Sequence, residues 1–275
     1  MPRIAIQLFG HLRTFESCAP SLCNHLIDKY ETDVFIHTWD EIDHGDLTWH
    51  GLNKSSNSLK VDDKIKNKIN FLYQPKTILV EKQNIFNESG YFGTKDNVKI
   101  SLKGMKYMLY SKYMVNRLRL EYESNHDVEY DYVFVSRPDI LLNSDINLNE
   151  YKNEFSYCSN TSIHFVNNPQ LKLVSTKYVQ YPRKADLFYF SNPNVINKIA
   201  SSFNDFEYFF KDIVKILPPG VECPEIAFFE SIVQKGIAPR LHHNDFSIRR
   251  FNHKSPNIAT SQNKSSRIFQ NFIRK

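Results

Sequence analysis

Short apolar runs alternate with longer amphipathic stretches in the first part of the chain, and this alternation limits the folds open to it. The runs at Arg3–Phe9 (RIAIQLF), residues 33–38 (DVFIHT) and residues 76–80 (KTILV) have the length and the β-branched or aromatic content of buried strands. Helix-like segments separate them. Because strands that alternate with helices pair in parallel and carry the helices on their faces, the sequence predicts an α/β, Rossmann-like fold with a mostly parallel central sheet.

The pattern continues as one domain. Residues 101–124 carry apolar side chains around most of a helix, which predicts a long, largely buried helix that leads into the segment YDYVFVSRPDILL at residues 130–142. Beyond Phe251 the chain becomes rich in Asn, Ser and Lys, so we expect a single domain over residues 1–251 and a basic tail over residues 252–275. The other predicted elements are a helix at 61–72, β-like segments at 155–158, 162–166 and 185–190, helices at 193–202, 206–216 and 224–235, and a turn at 218–220.

A charged turn, Ser136-Arg137-Pro138-Asp139, interrupts the strand within residues 130–142, which we expect to resume at residues 140–142. An Arg and an Asp are unusual in so apolar a run unless both point into a cleft at the carboxyl end of the strand. Pro138 fixes its own φ angle and favours an extended Arg137, so it holds both side chains stiffly. A carboxylate on such a turn suits a divalent metal ion that carries a diphosphate. The alternative is an Arg–Asp pair that only caps the strand.

The turns after the first two strands supply further candidate contacts to a ligand. Gly10 lets the backbone approach a ligand closely, His11 follows it, and Arg13 can reach a phosphate; the alternative is a plain turn with a surface arginine. After the second strand, Trp39 offers a ring for stacking and Asp40 an acceptor for ribose hydroxyls, although a Trp here also suits a core. The first turn matches neither GxGxxG nor the P-loop, so ordinary dinucleotide binding and ATP hydrolysis lose support. These residues are expected to share one cleft with the charged turn.

Four more residues are weaker candidates. Lys112 lies on the long helix before the charged turn and could neutralise diphosphate charge, although lysines on helices are usually solvated. Asp186 precedes an aromatic strand and could line the acceptor side of the cleft. Glu225 begins a helix after Pro224, where a carboxylate also favours the helix dipole. His243 is one of two adjacent histidines, of which at most one points inward from a strand as a metal or phosphate ligand.

The net charge and the cysteine content limit which binding partners and which cellular compartment the sequence predicts. A formal net charge of +5, with many of the cations near the C-terminus, suits a phosphorylated substrate or an anionic membrane surface and is too weak to indicate nucleic-acid binding. The four cysteines have no CxxC or paired spacing, so neither a zinc site nor a disulfide framework is expected. No stretch approaches the roughly 18 apolar residues of a membrane span, and the N-terminus lacks the features of a signal peptide. We therefore expect a cytoplasmic protein whose basic tail makes peripheral contact with the inner face of an anionic membrane.

Five segments, taken in order, resemble bacterial GT-A glycosyltransferases of capsule and lipopolysaccharide biosynthesis, including WavE-like proteins. They are GHLRTF, DVFIHTWD, YDYVFVSRPDILL, DLFYFSNPNVI and PEIAFFESIVQKGI, and they span most of the chain. The resemblance implies a GT-A fold with a smaller acceptor-side β/α portion and a sugar donor linked to UDP, GDP or CDP. It also implies Mn²⁺ or Mg²⁺ as the cofactor. The implied acceptor is an oligosaccharide or lipid-linked glycan of a growing capsule or lipooligosaccharide.

By position, the resemblance gives Asp139 the role of metal and diphosphate ligand, Arg137 that of a phosphate or ribose contact, and Asp186 or Glu225 that of a catalytic group on the acceptor side. Many such enzymes carry Asp-x-Asp after a central strand, and Arg137 here stands in place of the first acid. Arg13 and Arg137 could therefore stabilise a leaving diphosphate unaided. Two alternatives remain open: a non-catalytic nucleotide- or carbohydrate-binding protein on the same scaffold, and a sugar nucleotidyltransferase, for which GHLRTF is a poor match.

Overall fold

The computed structural model describes residues 1–43, 59–87, 91–92, 100–160, 185–207, 224–243 and 246–249. Four expectations from the sequence lie outside this part of the chain: the β-like segment at 162–166, most of the helix at 206–216, the turn at 218–220 and the basic tail at 252–275.

The described residues form strands and helices that alternate along the chain. The α-helices are α1 (Phe15–His25), α2 (Asp63–Tyr73), α3 (Leu102–His126), α4 (Pro193–Ala200) and α5 (Pro224–Gln234). The strands are β1 (Arg3–Phe9), β2 (Glu31–Trp39), β3 (Thr77–Glu81), β4 (Tyr91–Phe92), β5 (Ile100–Ser101), β6 (Tyr132–Ser136), β7 (Ile140–Leu142), β8 (Ser156–Asn160), β9 (Phe188–Ser191), β10 (Pro239–His243) and β11 (Phe246–Ile248).

Seven of these strands form one sheet in the order β10-β8-β9-β6-β1-β2-β3. Neighbouring strands are parallel except at β9, which runs antiparallel to β6 and to β8. The α/β class and the mostly parallel central sheet predicted from the sequence are therefore confirmed.

Helices cover both faces of this sheet, and the alternation of side chains along β1 explains why. Ala5 and Phe9 point to the face covered by α3, α4 and α5, whereas Ile4, Ile6 and Leu8 point to the face covered by α1 and α2. Both faces of β1 are thus buried, as expected for a central parallel strand. None of the helices in the described residues has the length and apolar content needed to cross a membrane.

Two element boundaries differ from the expectation. The helix predicted to start at residue 61 starts at Asp63, because Asp62 has an extended backbone and its carboxylate accepts the Ile65 N–H at 2.9 Å. This is an N-cap, which fixes where the helix begins. The strand expected at 185–190 is Phe188–Ser191, and residues 185–187 form the turn that enters it.

A strand resumes at residues 140–142 as expected, but it does not belong to the central sheet. Ile140–Leu142 leaves the central sheet and pairs antiparallel with Phe246–Ile248 in a separate two-stranded sheet. Pro138 has no N–H with which to continue a ladder, so the chain turns out of the central sheet at this point.

The strand order places a topological switch point between β1 and β6. The chain passes from β1 to β2 and β3 on one side, and α3 then returns it to β6 on the other side of β1. In open α/β sheets, ligands bind in the crevice outside the carboxyl ends of the two strands at such a point. Gly10 follows β1 and Arg137 follows β6, so the first and third predicted turns meet at this edge.

Candidate functional site

Two arginines and one carboxylate meet at the switch point. Arg137 donates from Nε to Asp139 Oδ1 at 2.9 Å and from Nη2 to Asp139 Oδ2. Arg13, from the turn after β1, places Nη1 3.5 Å from the same Oδ2. The Asp139 side chain has no exposed surface, so this carboxylate is buried between two cations.

Arg13 also ties this cluster to the end of β2. Its Nε donates to Asp43 Oδ1 at 3.0 Å, and its backbone N–H donates to the Ile42 carbonyl at 2.8 Å. The residue has a positive φ of 46°, which turns its side chain back over the carboxyl ends of the strands. Burial, and then the nearby Arg137, hold the pKa of Arg13 below its usual value. The side chain thus bridges three turns in a low-dielectric environment.

The Arg137 guanidinium is anchored along one edge and remains partly exposed. Its Nε and Nη2 are used on Asp139, while Nη1 has no hydrogen-bond partner within the described part of the chain. The side chain keeps 13% of its surface exposed. A planar fork with one edge anchored and the other open suits a phosphate or carboxylate ligand.

The surroundings of Asp139, as far as the structure describes them, do not fit a resident divalent cation. Both carboxylate oxygens already accept from guanidinium groups, whose positive charge would repel a metal ion. Among the described residues, no three His, Cys, Asp or Glu side chains converge on one point. His243, the other predicted ligand, ends β10, three strand spacings or roughly 14 Å from β6. The His243 side chain lies outside the description, so its metal role stays a prediction.

Asp186 reaches the same edge of the sheet because β9 is antiparallel. A residue that precedes β9 lies beside the carboxyl ends of the parallel strands, and the Arg137 N–H donates to the Leu187 carbonyl at 3.1 Å. Asp186 is only 7% exposed, and its Oδ1 has no hydrogen-bond partner among the described residues. A buried carboxylate oxygen without a donor is costly, so this atom is suited to accept a hydrogen bond from a ligand.

Lys112 lies beneath this edge rather than in the cleft. It is 2% exposed, and its Nζ donates to the Asp186 backbone carbonyl at 3.0 Å. The prediction that Lys112 neutralises a diphosphate would require an exposed ammonium, which the structure does not provide. Glu225 lies in the first turn of α5, one helical turn before Phe228, whose ring contacts Lys112.

A buried hydrogen-bond chain that the sequence did not reveal fixes the turn after β1. The Gly10 N–H donates to Ser111 Oγ on α3 at 2.7 Å, and Ser111 Oγ lies 2.7 Å from His37 Nδ1. His37 Nε2 lies 2.8 Å from Glu81 Oε2, and because a carboxylate only accepts, Nε2 carries the proton. Burial lowers the pKa of His37, and the neutral ring then accepts the Ser111 O–H at Nδ1. The Gly10 N–H is therefore engaged within the protein.

His11 holds the ends of β2 and β3 together. Its Nδ1 lies 2.9 Å from the Glu41 carbonyl and its Nε2 lies 3.0 Å from Gln83 Oε1. Burial, and then the charge of Arg13, lower the pKa of His11 to about 4. The ring is therefore neutral near pH 7 and positions the turn that carries Arg13.

Trp39 and Asp40 take structural positions at the end of β2. The Trp39 ring is buried and stacks on Tyr110 with a centroid distance of 5.9 Å, so it presents no open face for stacking on a ligand. The Asp40 carboxylate pairs with Lys60 at 3.1 Å at the surface. Neither residue contacts the arginine cluster through a hydrogen bond that the structure describes.

The sequence matches no protein-family model and has no significant similarity to a curated protein. A fold of this class serves many activities, so the side chains gathered at the switch point are what can indicate the function.

Proposed function

We propose that the protein is a glycosyltransferase of GT-A type that moves a sugar from a nucleotide-sugar donor to a growing bacterial surface polysaccharide, a capsule or a lipooligosaccharide. The observation that carries the proposal is the pair of arginines, Arg13 and Arg137, that converge on Asp139 at the switch point of the sheet. The sequence resemblance supports the class of reaction, and the arginine pair supports an anionic ligand.

The diphosphate of the donor would lie against the open Nη1 edge of Arg137 and beside Arg13. As the bond between the anomeric carbon and the phosphate oxygen breaks, negative charge grows on the leaving diphosphate. Two guanidinium groups fixed in a buried site stabilise that charge without reorganising. Asp139 would act mainly by holding both guanidiniums in place, because its two oxygens are occupied by them.

Asp186 is the carboxylate best placed to act on the acceptor. Its buried Oδ1, which has no hydrogen-bond partner among the described residues, would accept the hydroxyl proton while the hydroxyl oxygen bonds to the anomeric carbon. This assignment requires inversion at that carbon. The acceptor-side portion would then comprise β8, β9 and β10 with α4 and α5, and Glu225 begins the last of these helices.

The test is a titration of the full-length protein with UDP-, GDP- and CDP-sugars by calorimetry, with and without Mn²⁺ or Mg²⁺. At least one donor should bind, and the matching nucleoside without phosphates should bind far more weakly. Arg137→Met should weaken donor binding roughly 10- to 100-fold, because a charge-assisted hydrogen bond contributes about 1.5–3 kcal/mol.

The matched control is Arg117→Met, which removes an exposed arginine that pairs with Glu121 on the outer face of α3. It should leave binding unchanged. Binding of a donor without its hydrolysis, or without transfer to glycan acceptors, would instead support the non-catalytic alternative. No binding to any nucleotide sugar would reject the proposal.

A further inference from the structure

Lys112 is a fully buried lysine on α3 that makes no close ion pair within the described residues. Its only hydrogen bond there is to the backbone carbonyl of Asp186 at 3.0 Å. A buried ammonium without a carboxylate contact costs folding free energy, so packing gives little reason for a lysine at this position.

Three aromatic rings enclose the ammonium. Lys112 Nζ lies 3.6 Å from the ring centroid of Phe228, 4.8 Å from that of Phe9 and 5.0 Å from that of Tyr189. Aromatic faces attract a cation, and the attraction is larger in a desolvated site. The rings come from β1, β9 and α5, so this box fixes the ammonium relative to three elements of the sheet and its helices.

The aromatic box and the hydrogen bond of Lys112 both act on Asp186. The ammonium holds the Asp186 main chain from below, while Asp186 Oδ1 is buried and makes no hydrogen bond with the described residues. The next residue of the same turn, Leu187, accepts the Arg137 backbone N–H at its carbonyl. The turn at 185–187 is therefore clamped between α3 and the charged turn after β6.

The charged and titratable groups near the ammonium come from several elements. They are Asp186 before β9, Cys158 on β8 and Arg137 after β6, with Tyr189 in the box and Glu225 one turn from Phe228. Burial lowers the pKa of Lys112 to about 7, while the negative charge of Asp186 opposes this shift and the positive charge of Arg137 adds to it.

We propose that Lys112 is a positioning residue for Asp186: its boxed ammonium holds the turn so that the Asp186 carboxylate receives a hydroxyl group of the acceptor sugar. The proposal rests on the proposed function only for the identity of that ligand. Lys112 touches neither donor nor acceptor, so it should influence the rate of transfer and not the affinity for the donor.

The experiment compares Lys112→Met with the wild-type protein in transfer rate, donor affinity and melting temperature. Methionine keeps the length and removes the charge and the hydrogen bond. We expect kcat to fall on the order of 100-fold, as for a misplaced reacting group, and the donor Kd to stay within about twofold. The melting temperature should stay the same or rise, because a buried charge is replaced by an apolar side chain.

Two further variants make the outcome decisive. Asp186→Asn should lower kcat on its own, and the double variant Lys112→Met/Asp186→Asn should lose no more than Asp186→Asn alone, because one residue acts through the other. Lys106→Met is the control: this lysine lies on the same helix near the rings of Phe86 and Phe206 but pairs with Glu207, and its loss should leave kcat unchanged.

The pH profile gives an independent readout. The dependence of kcat on pH should include a step near pH 7 in the wild-type protein that is absent from Lys112→Met. An unchanged kcat in Lys112→Met, additive losses in the double variant, or a loss explained by a lower melting temperature would overturn the inference. If Arg137→Met weakens donor binding while Lys112→Met changes nothing, only this inference fails; a wild-type protein without donor turnover removes both.

Discussion

Arg137 and Asp139 face each other across Pro138 and share a two-pronged hydrogen bond, with Nε donating to Oδ1 at 2.9 Å and Nη2 donating to Oδ2. The proline between them fixes the backbone, so the two side chains meet with little loss of conformational freedom. Arg13 approaches the same carboxylate from the neighbouring strand. The buried carboxylate therefore joins two turns that the sequence separates by more than a hundred residues.

We predict that Asp139→Asn destabilises the protein without abolishing the binding of inorganic diphosphate. The change leaves two buried guanidiniums without their shared counter-charge, which should cost about 3 kcal/mol or more and lower the melting temperature by roughly 10 °C. An added diphosphate should bind at least as tightly as in the wild-type protein, because the Nη1 edge of Arg137 remains and the negative charge of Asp139 no longer repels the ligand. Thermal unfolding with and without inorganic diphosphate measures both effects.

The control for this prediction is Asp145→Asn, which removes an exposed carboxylate paired with His25 and Lys29. Ion pairs at the surface contribute little to the free energy of unfolding, so the melting temperature of Asp145→Asn should stay close to that of the wild-type protein. If Asp139→Asn instead loses diphosphate binding only when Mn²⁺ is present, Asp139 is the metal ligand that the sequence predicts.

Ser111→Ala should destabilise the protein through the buried chain that it interrupts. The change leaves the Gly10 N–H and the His37 ring nitrogen without their partner on α3, and each buried unsatisfied group costs about 1–3 kcal/mol. Urea unfolding measures the loss. Ser17→Ala, which removes an exposed serine that bonds only to its own turn, should stay within about 0.5 kcal/mol of the wild-type protein. Equal effects of the two changes would show that the Gly10 turn does not depend on Ser111.

His11→Asn should make the protein less sensitive to acid. The pKa of folded His11 is about 4, against 6.5 for an ordinary histidine, so between these values the unfolded chain binds a proton that the folded protein does not. Its contribution is fully present above pH 6.5 and is lost as the pH falls towards 4, by at most about 3 kcal/mol. Asparagine does not titrate there and can still donate to the Glu41 carbonyl. Urea unfolding between pH 4 and pH 7 should show that the variant loses less stability than the wild-type protein as the pH falls. His25→Asn, which changes a histidine near the surface, is the control. Parallel curves for His11→Asn and the wild-type protein would contradict the lowered pKa of His11.

Lys112→Met should remove a pH dependence of the same origin at higher pH, because burial also lowers the pKa of Lys112. The pKa of Lys112 falls from 10.5 to about 7 on folding, so between these values the unfolded chain binds more protons and wild-type stability rises with pH. The stability gained by Lys112→Met should therefore be largest below pH 7 and should shrink towards pH 10. Melting temperatures of both proteins across this range, with Lys106→Met as the control, measure the difference. A constant difference would mean that Lys112 keeps its proton throughout.

The local sequence was enough to predict β1, β2 and β6 and the turns that carry Gly10, Arg13 and Arg137. Each of these features depends on strand-forming or turn-forming residues that lie within a few positions of one another. The same period-2 alternation places Trp39 on the inner face with Phe35 and His37, so its burial beneath α3 was open to prediction from the sequence as well. The sequence interpretation left a ligand contact and a core position both open for Trp39, and the alternation favours the core position that the structure shows.

Other features depend on contacts between distant segments and could not be predicted. The direction of β9 is set by its pairing with β6 and β8, and nothing in its own residues distinguishes an antiparallel from a parallel strand. The bond between Gly10 and Ser111 joins positions 101 apart, and the box around Lys112 needs rings from three elements. Such arrangements are properties of the folded chain alone.

Three consecutive residues of α3 serve three separate parts of the molecule. Tyr110 donates to Glu81 on β3, Ser111 accepts from Gly10 after β1, and Lys112 donates to Asp186 before β9. Successive side chains on a helix point about 100° apart, so one added or deleted residue upstream in α3 would swing all three out of register together. Descendants of this protein should therefore tolerate length changes at surface turns while keeping the number of residues from the start of α3 to Lys112 fixed.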